Sequence, residues 1–221
     1  MSQLLVFDWD GTLMDSESRI VASALAAARD LEGPRPTATQ VRDIIGLGLP
    51  EAVRTLYPQA TPAFHAAFME RYRHYFLEAD TTPMPLFPGV PETLAELEAA
   101  GYLLAVATGK SRRGLERALD DVGLRQRFVA TRCADESFSK PHPGMLLEIL
   151  EATGCTAAHT VMIGDTEYDL GMARNAGVRS VAVAYGVHAC ERLLEFGPLG
   201  CIHSFAELPA LLAAHGGSTT D

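Results

Sequence analysis

Lysine is almost missing from this chain. Of its 18 basic residues only Lys110 and Lys140 are lysines, which singles out two compact ammonium groups for chemistry that a planar guanidinium does not perform. Cysteine is scarce too. Cys133, Cys155, Cys190 and Cys201 lie far apart with no C-x-x-C pair, so neither a zinc site nor a disulfide framework is indicated, and all four are expected as buried thiols. No run of about 18 apolar residues occurs, the length a membrane-spanning helix needs. The first residues lead straight into Leu4-Leu5-Val6-Phe7 without a basic segment or a small-residue cleavage site. The expectation is a cytoplasmic protein with no membrane partner. Positive charge is short overall, and a formal net charge of −10 repels phosphate backbones and argues against a nucleic-acid partner. What is present is apolar substance: 221 residues, 48% hydrophobic, enough for one good core and a smaller appended one.

That substance alternates in type. Short apolar runs, "YLLAVAT" (102–108), "FVATRC" (128–133), "HTVMIGD" (159–165), "VRSVAVAYG" (178–186) and "GCIHS" (200–204), are separated by helix-like segments at 90–100, 111–122, 142–153, 167–176, 190–196 and 205–214. Strand and helix in alternation predict a doubly wound parallel sheet, an α/β core with helices on both faces. Gly101, Gly123, Gly154 and Gly177 fall where helices should end. The first strand, 3–8, does not lead directly to the second. Residues 16–82 intervene, rich in Ala, Leu, Arg and aromatic residues at helical spacing and punctuated by Pro34, Pro36, Pro50, Pro58 and Pro62. They predict a small all-helical domain, 16–82, inserted into a core made of 1–15 and 83–221, with the prolines of "TTPMPLFPGV" as a hinge. The tail "HGGSTTD" is expected to fray.

Ligand sites in parallel α/β sheets form beyond the carboxyl ends of the strands. Here those ends carry Asp8 and Asp10, then Thr108-Gly109-Lys110, then Lys140 in a later loop, then Asp165 with Asp169 one helical turn on. Four carboxylates on one rim would raise one another's pKa or push the fold apart unless a cation sits among them. Oxygen donors of this kind suit Mg²⁺ better than zinc. Gly11-Thr12 supplies a tight turn whose backbone N–H groups can meet an anion. Each string alone has a plainer reading, as a turn, a helix cap or a surface lysine, but their order on a single rim does not.

"DWDGTLMDS", "ATGKS", "SKPHP" and "GDTEYDLGMARNAG" resemble, in order, the four motifs of the haloacid dehalogenase superfamily, in the branch whose helical cap follows the first motif. Within it the chain is most similar to phosphoglycolate phosphatase-like enzymes. The resemblance implies that Asp8 is the nucleophile of an aspartyl-phosphate mechanism and Asp10 the acid and then the base. It implies that Thr108 and the Gly109 N–H hold the transferring phosphoryl oxygens, with Gly11, Thr12 and Lys110 near the substrate, while Lys140 offsets the charge of nucleophile and phosphate. It further implies that Mg²⁺ binds through Asp8, the Asp10 carbonyl and Asp165, with Asp169 orienting a ligand or a bound water.

Several branches of that family fit poorly. The dehalogenase branch has no acid at the place of Asp10, and a Schiff-base chemistry would need a cap lysine, of which residues 16–82 have none. The β-phosphoglucomutase branch would need a His and an Arg where Ile20 and Leu49 stand. Hydrolysis of a small phosphorylated metabolite by a monomer or homodimer is therefore expected, the alternatives being a β-phosphoglucomutase-like phosphotransferase or a non-catalytic interaction protein on the same fold. Two points stay open. Arg42 and Arg54 flank the cap loop 44–52 and could meet a substrate carboxylate or merely be solvated; Lys110 could touch the leaving group or cap the next helix.

Overall fold

The computed structural model describes residues 3–216, so the expected fraying beyond Gly216 lies outside the described residues. Six parallel strands form one sheet in the order β3-β2-β1-β4-β5-β6. They are β1 (Leu4–Phe7), β2 (Leu103–Thr108), β3 (Ala130–Cys133), β4 (Thr160–Gly164), β5 (Arg179–Val183) and β6 (Cys201–Ile202). The side-chain period of two explains why the strand sequences are apolar throughout. Leu5, Phe7, Leu104 and Val106 pack on one face, against α5 (Val90–Ala99), α6 (Arg112–Val122) and α10 (Leu208–Gly216). Leu4, Val6, Ala105 and Met162 pack on the other, against α7 (Gly144–Thr153) and α8 (Glu167–Asn175). Successive strands move outward from β1 in one direction to β3, and from β4 in the other to β6. The reversal lies at the β1/β4 junction, where a doubly wound sheet opens a crevice at its carboxyl edge.

Between β1 and β2 the chain forms α1 (Glu17–Arg29), α2 (Ala38–Arg42), α3 (Leu49–Leu56) and α4 (Pro62–His74). Local chemistry starts each of the last three: Thr37 and Gln40 make a reciprocal capping box, Pro50 lies in the first turn of α3, and Thr61 caps α4 with Pro62 behind it. These helices share an apolar cluster that includes Ala24, Val41, Val53 and Phe68. The end of α4 widens into a π-helical turn, Tyr75–Ala79, which shifts the register of the residues that follow.

Two sequence expectations need correction. Cys190, which opens α9 (Cys190–Leu194), is joined to Cys201 on β6 in a disulfide with Cα atoms 6.5 Å apart. Parallel packing of β5 beside β6 brings the two together across a loop, a contact that spacing along the chain does not disclose. Cys133 is a buried thiol as expected. The last helix is also shorter than its apolar run suggested: Phe205–Glu207 forms a separate 3₁₀ turn before α10. Among the described residues no helix is long and apolar enough to cross a membrane.

Candidate active site

β1 explains why Asp8 and Asp10 can work together. Alternation continues past the strand: Trp9 turns into the core beside Phe7 and is fully buried, its indole N–H directed at Met14 Sδ, and the two aspartates are thrown to the opposite side. Gly11 then reverses the chain at φ +86°, a conformation for which glycine is suited. A Cβ at this position would lie 2.2 Å from Asp165 Oδ2, so no larger residue fits there. Thr12 is buried, and its hydroxyl donates to Asp165 Oδ1 at 2.8 Å. The Val187 N–H donates to the other Asp165 oxygen at 2.9 Å.

Lys140 is completely enclosed and donates to Asp8 Oδ1 and Asp169 Oδ1, each at 2.6 Å. Burial alone would lower its pKa, but Asp169 and Asp8 together hold it above the ordinary lysine value. The second oxygen of Asp169 accepts from the Thr166 hydroxyl and N–H. Thr166 and Asp169 thereby form the capping box of α8, so one pair of residues starts a helix and fixes a site carboxylate.

Asp8, Asp165 and Asp169 present carboxylate oxygens within 4.8 Å of one another. Burial, opposed by Lys140 and reinforced by the other two carboxylates, pushes Asp8 well above the usual carboxylate range. Burial and then Asp169 raise Asp165 to about 7. Asp8 Oδ2 is buried without a hydrogen-bond partner, which is costly for a polar atom unless something positive or electrophilic meets it. A hard divalent cation fits this donor set. Asp169 spends one oxygen on the Lys140 ammonium and the other on two Thr166 donors, whereas each Asp165 oxygen meets a single neutral donor and keeps a lone pair, so Asp165 is the better placed to bind a cation directly and Asp169 to orient the set.

The second motif faces the first. Thr108, at the end of β2, is buried and accepts the Lys110 N–H on its hydroxyl at 3.2 Å. Lys110 does not cap the next helix. Ser111 does so by accepting the Gly114 N–H, while Lys110 Nζ reaches Asp10 Oδ1 at 2.9 Å and lies 4.8 Å from the centre of the Phe76 ring. Ser16, which the sequence reading passed over, also donates to Asp10 Oδ1. Its position just before α1, where an N-cap is expected, was the available signal.

A cavity of about 210 Å³ opens above these residues, with Asp8, Asp10, Gly109 and Lys110 at its base and the inserted helices as its walls. Gly11, Thr12, Thr108, Lys140, Asp165 and Asp169 stand behind that base rather than on its surface. The loop before α3 is seated on the sheet's edge. The Gly48 N–H donates to Ser139 Oγ at 2.8 Å, Tyr168 donates to the Asp43 carbonyl at 2.8 Å, and Arg192 bridges Asp43 and Glu167. A Cβ at Gly109 would sit 2.6 Å from the Leu47 carbonyl oxygen, so glycine is what allows loop and motif to approach. Arg42 and Arg54 are not part of the cavity; both are exposed and paired with Glu17 and Glu51.

The model of the family described as haloacid dehalogenase-like hydrolase matches residues 5–183. "Probable phosphatase IndB" of Dickeya dadantii (strain 3937) is 37% identical over 220 residues, covering 97% of this chain and 94% of that protein. A phosphoglycolate phosphatase of Vibrio cholerae serotype O1 is 30% identical over 205 residues, covering 89% and 90%. Among solved structures, a predicted phosphoglycolate phosphatase from Haemophilus somnus 129pt superposes with a TM-score of 0.83 at 26% identity, covering 95% of this chain and 97% of that one.

Proposed function

The chain belongs to the haloacid dehalogenase-like hydrolases and is a phosphoric monoester hydrolase, and on that premise we propose that it cleaves a small phosphomonoester through an aspartyl-phosphate on Asp8, with Mg²⁺ as cofactor, as a phosphoglycolate phosphatase-like enzyme. The observation that carries this reading is the state of Asp8. One of its oxygens is fixed by Lys140, and the other is buried and unpartnered at the base of the cavity. That is the disposition of a carboxylate aimed at an electrophile.

In the first half-reaction Asp8 Oδ2 attacks phosphorus, the bond from phosphorus to the ester oxygen breaks, and Asp10 gives its proton to the departing alkoxide. In the second, Asp10 takes a proton from water as that water attacks the phosphoryl group. The bond to Asp8 breaks and inorganic phosphate leaves. Ser16 and Lys110 both hold Asp10 Oδ1, which keeps Oδ2 as the oxygen that exchanges protons with the ester and the water. The Gly109 N–H, at the base of the cavity, would orient the phosphoryl oxygens with the enclosed Thr108 hydroxyl directly behind it, and Lys140 would balance Asp8. Asp8, Asp165 and the Asp10 carbonyl would hold Mg²⁺, which would supply neutralisation of phosphoryl charge. Asp169 and Thr12 keep Lys140 and Asp165 in position.

Residues 16–82 act as a cap domain over a core of 1–15 and 83–221, excluding bulk water from the site. Ile20 and Leu49, where a mutase-like transfer would call for His and Arg, sit in the cavity wall; nothing there favours a phosphotransferase. The test is release of phosphate from simple alkyl phosphates. It should require Mg²⁺ and stop in chelator, and full activity in chelator would overturn the metal assignment.

A further inference from the structure

The wall of the cavity contributed by the inserted helices is mostly carbon. Above Asp8 and Asp10 it is made by Ile20 from α1, Leu49 from α3, Phe68 and Tyr72 from α4, and Phe76 and Leu77 from the π turn. Tyr72 and Phe76 are stacked at 5.6 Å with their planes 16° apart, a flat aromatic panel beside the proton-transferring acid. Burial, and then the charge of Asp10, hold the Tyr72 phenol above its ordinary pKa, so it stays neutral. Of the cations on the cavity, Lys110 is committed to Asp10 and to the Phe76 face. Arg73 is exposed at the mouth, bordering a neighbouring hollow lined by Arg71, His74 and Arg113 as well as Glu70 and Glu78, and a cation exposed there is screened by solvent. Asp135 stands at the same rim. A carboxylate entering here would lose its hydration against aliphatic and aromatic carbon with no unclaimed buried cation to receive it. A polyol would find few hydrogen-bonding side chains.

We infer that the alcohol half of the substrate is an uncharged, apolar group of a few carbon atoms, an alkyl or arylalkyl alcohol, and not a carboxylate-bearing alcohol such as glycolate. The inference rests on the phosphatase reading and departs from it in one respect, the glycolate-like alcohol. The phosphoryl group sits at Asp8, and the apolar group lies against Tyr72, Phe76 and Leu49. The small volume of the cavity, below the roughly 300–1,000 Å³ of drug-sized pockets, sets an upper limit to that group.

The test compares kcat/KM of the wild-type enzyme with Mg²⁺ on ethyl, propyl, butyl and benzyl phosphates, on glycerol 3-phosphate and on phosphoglycolate. All are phosphates of primary alcohols, so leaving-group chemistry changes little across the set. The expected result is a rise of about fourfold per added methylene up to butyl, with benzyl phosphate at least about 100-fold better than phosphoglycolate. Phe76→Arg should narrow that ratio from both ends. The ester series needs no variant, so it stands even if Phe76→Arg does not fold. A flat series, or phosphoglycolate as the best ester with a preference that disappears in Arg73→Ala, overturns the apolar assignment and leaves the phosphatase reading intact. No phosphate release from any ester takes down both.

Discussion

The rim of the sheet and the helical insertion bury their atoms by opposite means. At the rim, charged groups are enclosed and satisfied one by one: Lys140 by two carboxylates, Asp165 by Thr12 and Val187, Asp169 by Lys140 and Thr166. The orphaned Asp8 Oδ2 is the exception. In the insertion, the surfaces facing the cavity are mostly carbon, Arg42 and Arg54 pair with Glu17 and Glu51 outside it, and Arg73 lies at its mouth. Charged groups enclosed this tightly are worth little to stability against an apolar alternative; their value lies in fixed geometry for a reacting group. Apolar walls fix no geometry but discriminate by area. Under the proposed reading the difference is a division of labour in which the rim would perform the chemistry and the insertion would select the alcohol.

The most severe break of that division is Asp8→Asn. An amide cannot attack phosphorus, so kcat should fall by about 10⁴-fold or more on every ester, aryl or alkyl. Because the change also relieves the crowding of buried carboxylates, the melting temperature should hold or rise. Activity above about a hundredth of wild type would remove Asp8 as nucleophile. Asp10→Asn should cost about 10²–10⁴-fold on alkyl phosphates but much less on an aryl phosphate whose leaving group needs no proton. Equal losses on both would contradict the acid role.

Cation binding sharpens the contrast through pH. In the cation-free protein Asp165 is raised from 3.8 to about 7, so between those values the folded state holds more protons than the unfolded one. Stability therefore falls as pH rises through that window. Mg²⁺ at the proposed site would take the deprotonated carboxylates and should reverse the trend. At 100 times its Kd it adds about 2.7 kcal/mol, or roughly 5–10 °C in melting temperature for a chain of this size. The shift should be large at pH 8 and small at pH 5.5 in thermal scans with and without chelator; a pH-independent shift would place the ion elsewhere. The mildest change is Ser139→Ala. It removes the partner of the Gly48 N–H, worth about 1 kcal/mol, and should raise KM about fivefold while kcat stays within about twofold.

Much of the core was legible because its signals are local. The alternation of short apolar runs with helix-like segments marks the parallel sheet, and the strand ends at Asp8, Thr108 and Asp165 mark its rim. What escaped was set by meetings across the fold. Lys140 bonds Asp169 as well as Asp8, and Lys110 turns back to Asp10 instead of capping α6. Cys190 meets Cys201 through the β5–β6 pairing. The apolar cavity was legible only in part: Leu47 and Leu49 mark the cap loop 44–52 as an apolar contact, whereas Ile20 and Phe76 come from other segments and read in sequence as ordinary helix core.

The most direct measurement is peptide mass spectrometry of wild-type enzyme quenched in acid during turnover of an alkyl phosphate with Mg²⁺. The tryptic peptide that ends at Arg19 contains Asp8, Asp10 and Asp15. It should carry one phosphoryl group, localised by fragmentation to Asp8, that accumulates in Asp10→Asn supplied with an aryl phosphate, because the water that clears it then lacks its base. A phosphoryl group on Asp10 or Asp15, or an unmodified peptide in that variant while phosphate is still released, would contradict the assignment of Asp8 as the residue that bears the intermediate.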